Sequence, residues 1–120
     1  MGDGVDFSGS KAVVRNSSFE NISDKAISVG EGSHVEVSTC KINNVSFGLV
    51  SKDLSITKAS NNTVTDAKTA AFAAFQKKNS FGPASIIVSK PKTSDCKQLF
   101  LIQDGSTGRL DDQVVNTSIF

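Results

Sequence analysis

Apolar and polar positions along this chain recur with a long period. Setting FENISDKAISV (19–29), INNVSFGLVSK (42–52) and VTDAKTAAFAA (64–74) beneath one another gives three copies of one order. An apolar residue is followed by a spacer, then Asn or Asp, then small or apolar residues. Phe19, Ile42 and Val64 fall 23 and 22 residues apart, as do Asn21, Asn44 and Asp66. Val5, Ile27, Leu49 and Phe72 recur at 22, 22 and 23. A second set, Ala12/Val14, Val35/Val37 and Leu54/Ile56, alternates with period two, which predicts short strands with one face inward. Residues 1–66 carry no helical periodicity.

A fixed period in this range marks a stacked architecture. Three short strands per 22-residue period, with Gly and Ser at the bends, predict a coil that stacks on the next. The expected fold is all-β: a short, single-stranded, right-handed parallel β-helix of about 4–5 coils, with an irregular C-terminal capping segment. An all-β sandwich also suits short strands separated by turn signals, but the matched spacings favour the stack. In it, Asn21, Asn44 and Asp66 form a structural ladder, each amide free to bond its neighbour and the turn backbone. The triplets Asn21-Ile22-Ser23 and Asn44-Val45-Ser46 have the glycosylation pattern, and the ladder accounts for them without a sugar.

The repeat loosens after residue 68. TAAFAAFQKKNSFGP keeps apolar residues on the ladder, while its alanine content also suits a short helical excursion. Gly82-Pro83 marks a turn, and ASIIVSK returns to strand with Ile86 and Val88 inward. Residues 1–95 are read as the coils, and residues 96–120 as a closing coil or cap of the same domain. The first strand begins almost at Met1, so the front of the stack is expected to be open and to receive a partner coil. The start MGDG reads as one placed in the middle of a pattern, which suits a piece of a larger exported protein.

Composition removes several functions. Thirteen Lys and Arg stand against twelve Asp and Glu, so no strong overall field gathers nucleic acid or anionic membrane. No apolar run approaches a membrane span, and no secretory signal is present in MGDGVDFSG. Eight Phe with no Trp and no Tyr leave few side chains suited to a sugar-stacking platform. Cys40 and Cys96 match no zinc or redox spacing; one disulfide or two buried thiols would suit them, and free thiols are the expectation.

These repeats resemble the right-handed parallel β-helix coils of the pectin-lyase-like superfamily over roughly residues 3–90. The resemblance implies the fold, and an extracellular or cell-surface location of bacterial type. Gly2-Asp3-Gly4-Val5-Asp6 is similar to the Asn-Thr-Asp-Gly-Ile-Asp stretch of polygalacturonases within that superfamily. Ser23-Asp24-Lys25-Ala26-Ile27 lies where their Gly-Asp-Asp-Cys follows. Inverting hydrolysis needs a protonated acid and an ionised carboxylate on one face, and Asp3 and Asp24 are the candidates. Lys25 stands in place of the second Asp of the pair, Phe47 in place of the His of Gly-His-Gly, and no Arg-Ile-Lys is present. Asp3 and Asp24 are therefore read as turn residues. Calcium-assisted lyase chemistry, the superfamily's other option, would draw on Asp6 and Asp24 as ligands with Arg15 or Lys25 as base; no cofactor is expected otherwise.

The lone His34, in a Gly-Ser-His bend, has no partners placed by spacing, and the pairs Lys77-Lys78 and Lys90-Pro91-Lys92 read as solvated surface. The expected function is a non-catalytic structural or interaction module, self-associating as a homo-oligomer through open coil ends or strand edges, or part of a larger surface or secreted protein. A carbohydrate-binding or polysaccharide-degrading domain is the alternative. Nucleic-acid and membrane partners are not expected.

Overall fold

The period of 22 to 23 residues closes one coil, and parallel pairing between successive coils builds the molecule. In the computed structural model, residues 2–115 are described. The strands are β1 (Val5–Ser8), β2 (Lys11–Arg15), β3 (Ser18–Gly30), β4 (His34–Ser38), β5 (Lys41–Lys52), β6 (Ile56–Ser60), β7 (Thr63–Phe75), β8 (Ser85–Ser89), β9 (Lys92–Ser94), β10 (Phe100–Ile102), β11 (Thr107–Leu110) and β12 (Gln113–Val114). One sheet runs β1-β3-β5-β7-β10, with β9 also on β7; the other runs β2-β4-β6-β8-β11 and ends in β12. All pairings are parallel except β11 with β12. The result is a parallel β-solenoid of about five turns, with no helix among the described residues.

Three strand segments make up each coil, but two are fused. β3, β5 and β7 each bend once, at Asn21, Asn44 and Asp66, whose φ values of 59°, 57° and 57° lie in the left-handed region. Asn and Asp enter that region at lower cost than other side-chain-bearing residues, so each bend sits where the sequence supplies one. Before the bend, Phe19, Ile42 and Val64 stack in register; after it, Val5, Ile27, Leu49, Phe72 and Phe100 do. Ile27, Leu49 and Phe72 are fully buried, and the Phe72 and Phe100 rings lie 5.5 Å apart. From the second sheet Val35, Val37, Ile86 and Val88 close the same core.

Tight stacking also forces small residues. A Cβ added to Gly48 would stand 2.4 Å from the Ala71 carbonyl oxygen of the next coil, so only glycine fits there.

Three expectations need correction. The inward pair of the third coil is Thr57 and Ala59, in register with Val35 and Val37, not Leu54/Ile56. A strand slipped by one residue turns its other face inward, and the two larger aliphatic side chains masked the true register. Leu54 instead occupies the turn at φ 65°, half exposed. The alanine-rich TAAFAAF segment makes no helical excursion: it lies inside β7, where pairing with β5 and β10 overrides local propensity. His34 opens β4 rather than sitting in a bend. At the C-terminal end, β10 and β11 continue both sheets in register and β12 folds back antiparallel. The last five residues of the expected cap, 116–120, lie outside the described residues.

Candidate functional site

The ladder residues meet at the bend. Asn44 Nδ2 donates to Asn21 Oδ1 at 2.7 Å, and Lys68 donates to Asn44 Oδ1. Asp66 joins through Lys68, whose Nζ lies 3.6 Å from its carboxylate. All three ladder positions are at the surface and each carries a left-handed backbone, so the column fixes three bends at once.

Beyond the bend, Asp24 and Lys25 lie within β3, so Asp24 is a strand residue and not the turn residue expected, and Asp3, just before β1, meets them. Lys25 Nζ lies 3.0 Å from Asp24 Oδ2 and 3.9 Å from Asp3 Oδ1. The backbone binds too: Lys25 N–H donates to Asp3 Oδ1 at 3.3 Å, and Gly4 N–H donates to the Lys25 carbonyl at 2.9 Å. Lys25 and Asp3 side chains are only 12% and 15% exposed, whereas Asp24 is 45% exposed. The ammonium thus contacts both carboxylates, closely at Asp24 and more loosely at Asp3. Inverting hydrolysis keeps room between its two carboxyl groups for the sugar and a water; here the Lys25 side chain contacts both and takes that place. In the next coil Phe47, and in the one after it the buried Ala70, follow Lys25 in register, so the charged cluster gives way within one step to apolar packing.

A second cluster lies at the other margin of the same sheet. Ser8, Gly30, Lys52 and Phe75 fall in one column, and a Cβ on Gly30 would stand 3.0 Å from Lys52 Cε. Glycine there lets the lysine stem lie flat toward the first coil. Glu31 accepts hydrogen bonds from Ser8 Oγ and Lys78 Nζ. These bonds, Lys78 first, hold the Glu31 carboxyl below its usual range, and the same contact raises Lys78. Asp53, 1% exposed, accepts from the backbone N–H groups of Lys77 and Lys78 at 2.7 and 2.8 Å and so anchors the loop after β7. A depression of about 160 Å³ lies among Asp6, Lys52 and these groups.

Sequence reasoning singled out Lys77-Lys78 but missed Glu31, Lys52 and Asp53. The signal was available in part: continuing the Ser8–Gly30 spacing by one coil reaches Lys52. The partner loop follows no repeat, so Lys78 could not be assigned to Glu31.

Other candidates stay apart. Of the calcium-lyase candidates, Arg15 projects from the second sheet, away from Asp6 and Asp24 on the first; Lys25 contacts Asp24, while Asp6 pairs with Ser28, four positions further along β3. No group of three or more His, Cys, Asp or Glu side chains is placed to hold a metal among the described residues. Lys90 sits in a turn at φ 50°, its N–H bonded to Asp111, and Lys92 is exposed on β9. Cys40 is buried and Cys96 half-buried, and both are free.

Parallel coils, a ladder at each bend and a core of stacked aliphatic and phenyl side chains define the solenoid class called the parallel β-helix. More specifically, the right handed beta helix region family matches residues 1–118, and the chain belongs to that family. No curated protein and no solved structure matches it.

Proposed function

We propose that this β-helix is a non-catalytic interaction module that joins another coil through the edge of its first coil, with a second copy of the chain as the partner. The observation that carries this reading is the unpaired edge of β1 and β2. Among the described residues β1 pairs only with β3 and β2 only with β4. Beneath that edge Phe7, Ala12, Val14 and Phe19 are only partly buried although they belong to the core. An open strand edge over exposed apolar side chains is a template for pairing. A further coil of a longer surface or secreted polypeptide fits the same edge.

The test uses backbone alternation. The Ser10 carbonyl accepts from His34 N–H, so in β2 the even-numbered residues face β4 and Val13 turns its N–H to the open edge. Val13→Pro removes that donor without breaking an internal bond. Sedimentation of the native chain is expected to show concentration-dependent dimers, and V13P to shift toward monomer with its fold retained. A native chain that stays monomeric at high concentration would sink the reading.

The second reading, polysaccharide binding or cleavage, draws support from the convergence of Asp3 and Asp24. The Lys25 ammonium between them is the reason it ranks second. Cleavage of an acidic polysaccharide that disappears in Asp24→Asn, with folding intact, would promote it.

A further inference from the structure

The outer face of the second sheet concentrates positive charge. Its outward residues alternate with the core residues of β2, β4, β6, β8 and β11, and they include Lys11, Arg15, Lys58 and Arg109 against the single acid Glu36. The chain has 13 basic and 12 acidic residues in all, so this leaves nine basic against eleven acidic elsewhere. A nearly neutral protein is therefore divided into a basic face and a slightly acidic remainder. Ion pairs among the described residues, those of Lys25, Lys68 and Lys78, all lie off this face. Glu36 stands between Val13 and Lys58 in one column and partly offsets that lysine without reversing the face.

Shape and apolarity coincide with this charge. Two adjoining depressions, of about 450 and 380 Å³, run across the face and share Val13, Glu36 and Lys58. Val13, 58% exposed, lines both, and Ile87, 36% exposed, lines the second; Arg109 lies beyond them, next to Ile87 in the same column. Lys58 and Arg109 share a column two coils apart, which places their Cα atoms about 10 Å apart at ~4.8 Å per coil. Three residues of an extended peptide span the same length, at ~3.3 Å each.

The geometry points to this face as a docking surface for an extended acidic protein segment carrying two carboxylates three residues apart, with small aliphatic residues between. Charge complementarity selects an acidic partner. Aliphatic side chains exposed between Arg and Lys, with no aromatic ring for a sugar to stack on, select a peptide over a glycan. Five strands by five residues give about 400 Å², half of the roughly 800 Å² per partner in a standard stable interface. Docking is therefore weak, fast and sensitive to salt. It uses the face of the second sheet, whereas the proposed self-association uses the β2 edge; Val13 belongs to both, by its side chain here and its N–H there.

The probe is a fluorescent twelve-residue peptide of repeated Asp-Val-Ser, with a Lys-Val-Ser peptide as control, followed by anisotropy. The acidic peptide is expected to bind at low salt, to weaken about tenfold or more as salt rises toward 0.5 M, and to lose binding in Lys58→Glu/Arg109→Glu. The milder Lys58→Gln/Arg109→Gln variant should weaken it as well, whereas Lys41→Glu, on the other sheet, should not. Circular dichroism checks that each variant is folded. Absence of binding to the native chain, or binding equal in K41E and the double variant, overturns the proposal. So does a polyuronate that binds through Lys58 and Arg109 where the peptide does not.

Discussion

The first coil and the third occupy the same register but live in different surroundings. Val5 and Phe7 are partly exposed, while Leu49, in the column of Val5, is completely buried. Across the second sheet, Ala12 and Val14 are half-buried where Val35 and Val37 of the second coil, also flanked on both sides, are at most 2% exposed. The residue types are alike. What differs is the number of neighbouring coils, one for the first and two for the third. In a stack, stability is the sum of interfaces between adjacent repeats, so an inward side chain contributes fully only when it is covered from both sides.

Truncating one phenyl ring in each region gives the largest contrast. Phe72→Ala, in the middle of the stack, is expected to cost about 3–5 kcal/mol. Phe7→Ala, in the first coil, should cost about 1–2 kcal/mol, because part of the ring is already in water. Urea unfolding measures both. Equal losses would mean that the first coil is covered in solution.

A smaller contrast lies in the column Ser17, Cys40, Asn62. Asn62 is 2% exposed; its Oδ1 accepts from Cys40 N–H at 3.0 Å and its Nδ2 donates to the Val37 carbonyl at 3.0 Å. Asn62→Ala removes the acceptor of the buried Cys40 N–H and a side-chain donor to the Val37 carbonyl, and should cost about 1–3 kcal/mol. The Ser17 hydroxyl donates to the Arg15 carbonyl at 2.9 Å in an exposed contact, so Ser17→Ala should cost less than about 1 kcal/mol. Thermal melts of the two variants compare them directly.

The smallest effect is a pH dependence. The folded Glu31 carboxyl lies below its ordinary value, so its contribution is complete above the unfolded value near 4.3 and is lost as pH falls through the lower folded value. Lys78 is raised, so its share persists to high pH and disappears only as pH rises through a folded value above about 10.4. Glu31→Gln should therefore flatten part of the acid limb of a stability curve measured from pH 7 to 3. An unchanged acid limb would show the pair to be energetically silent.

Much of the stack could be read from residue spacing. The columns of Phe19, Ile42 and Val64, and of Val5, Ile27, Leu49 and Phe72, pair as their separations imply. The reason is physical: backbone pairing between coils forces equal coil lengths, and equal lengths appear as a period. Where the third coil turns small and polar residues inward at Thr57 and Ala59, hydrophobicity ceases to mark the inside and the reading failed. The candidate site was legible only as far as the period reached. Asp3, Asp24 and Lys25 are one coil apart and converge, while the Glu31–Lys78 contact links positions 47 apart across an irregular loop that no periodicity describes.

That loop bears on what the architecture can carry. Four positions take the chain from Lys52 to Ile56, whereas ten take it from Phe75 to Ser85, yet Ile56 and Ser85 still pair in register. The corner after β7 thus absorbs extra length without passing any of it to the strands. With Asp53 clamping its first residues and Asn79 and Ser80 in solvent, the corner behaves as a socket. New sequence can be spliced in there, and the scaffold below it keeps the same shape.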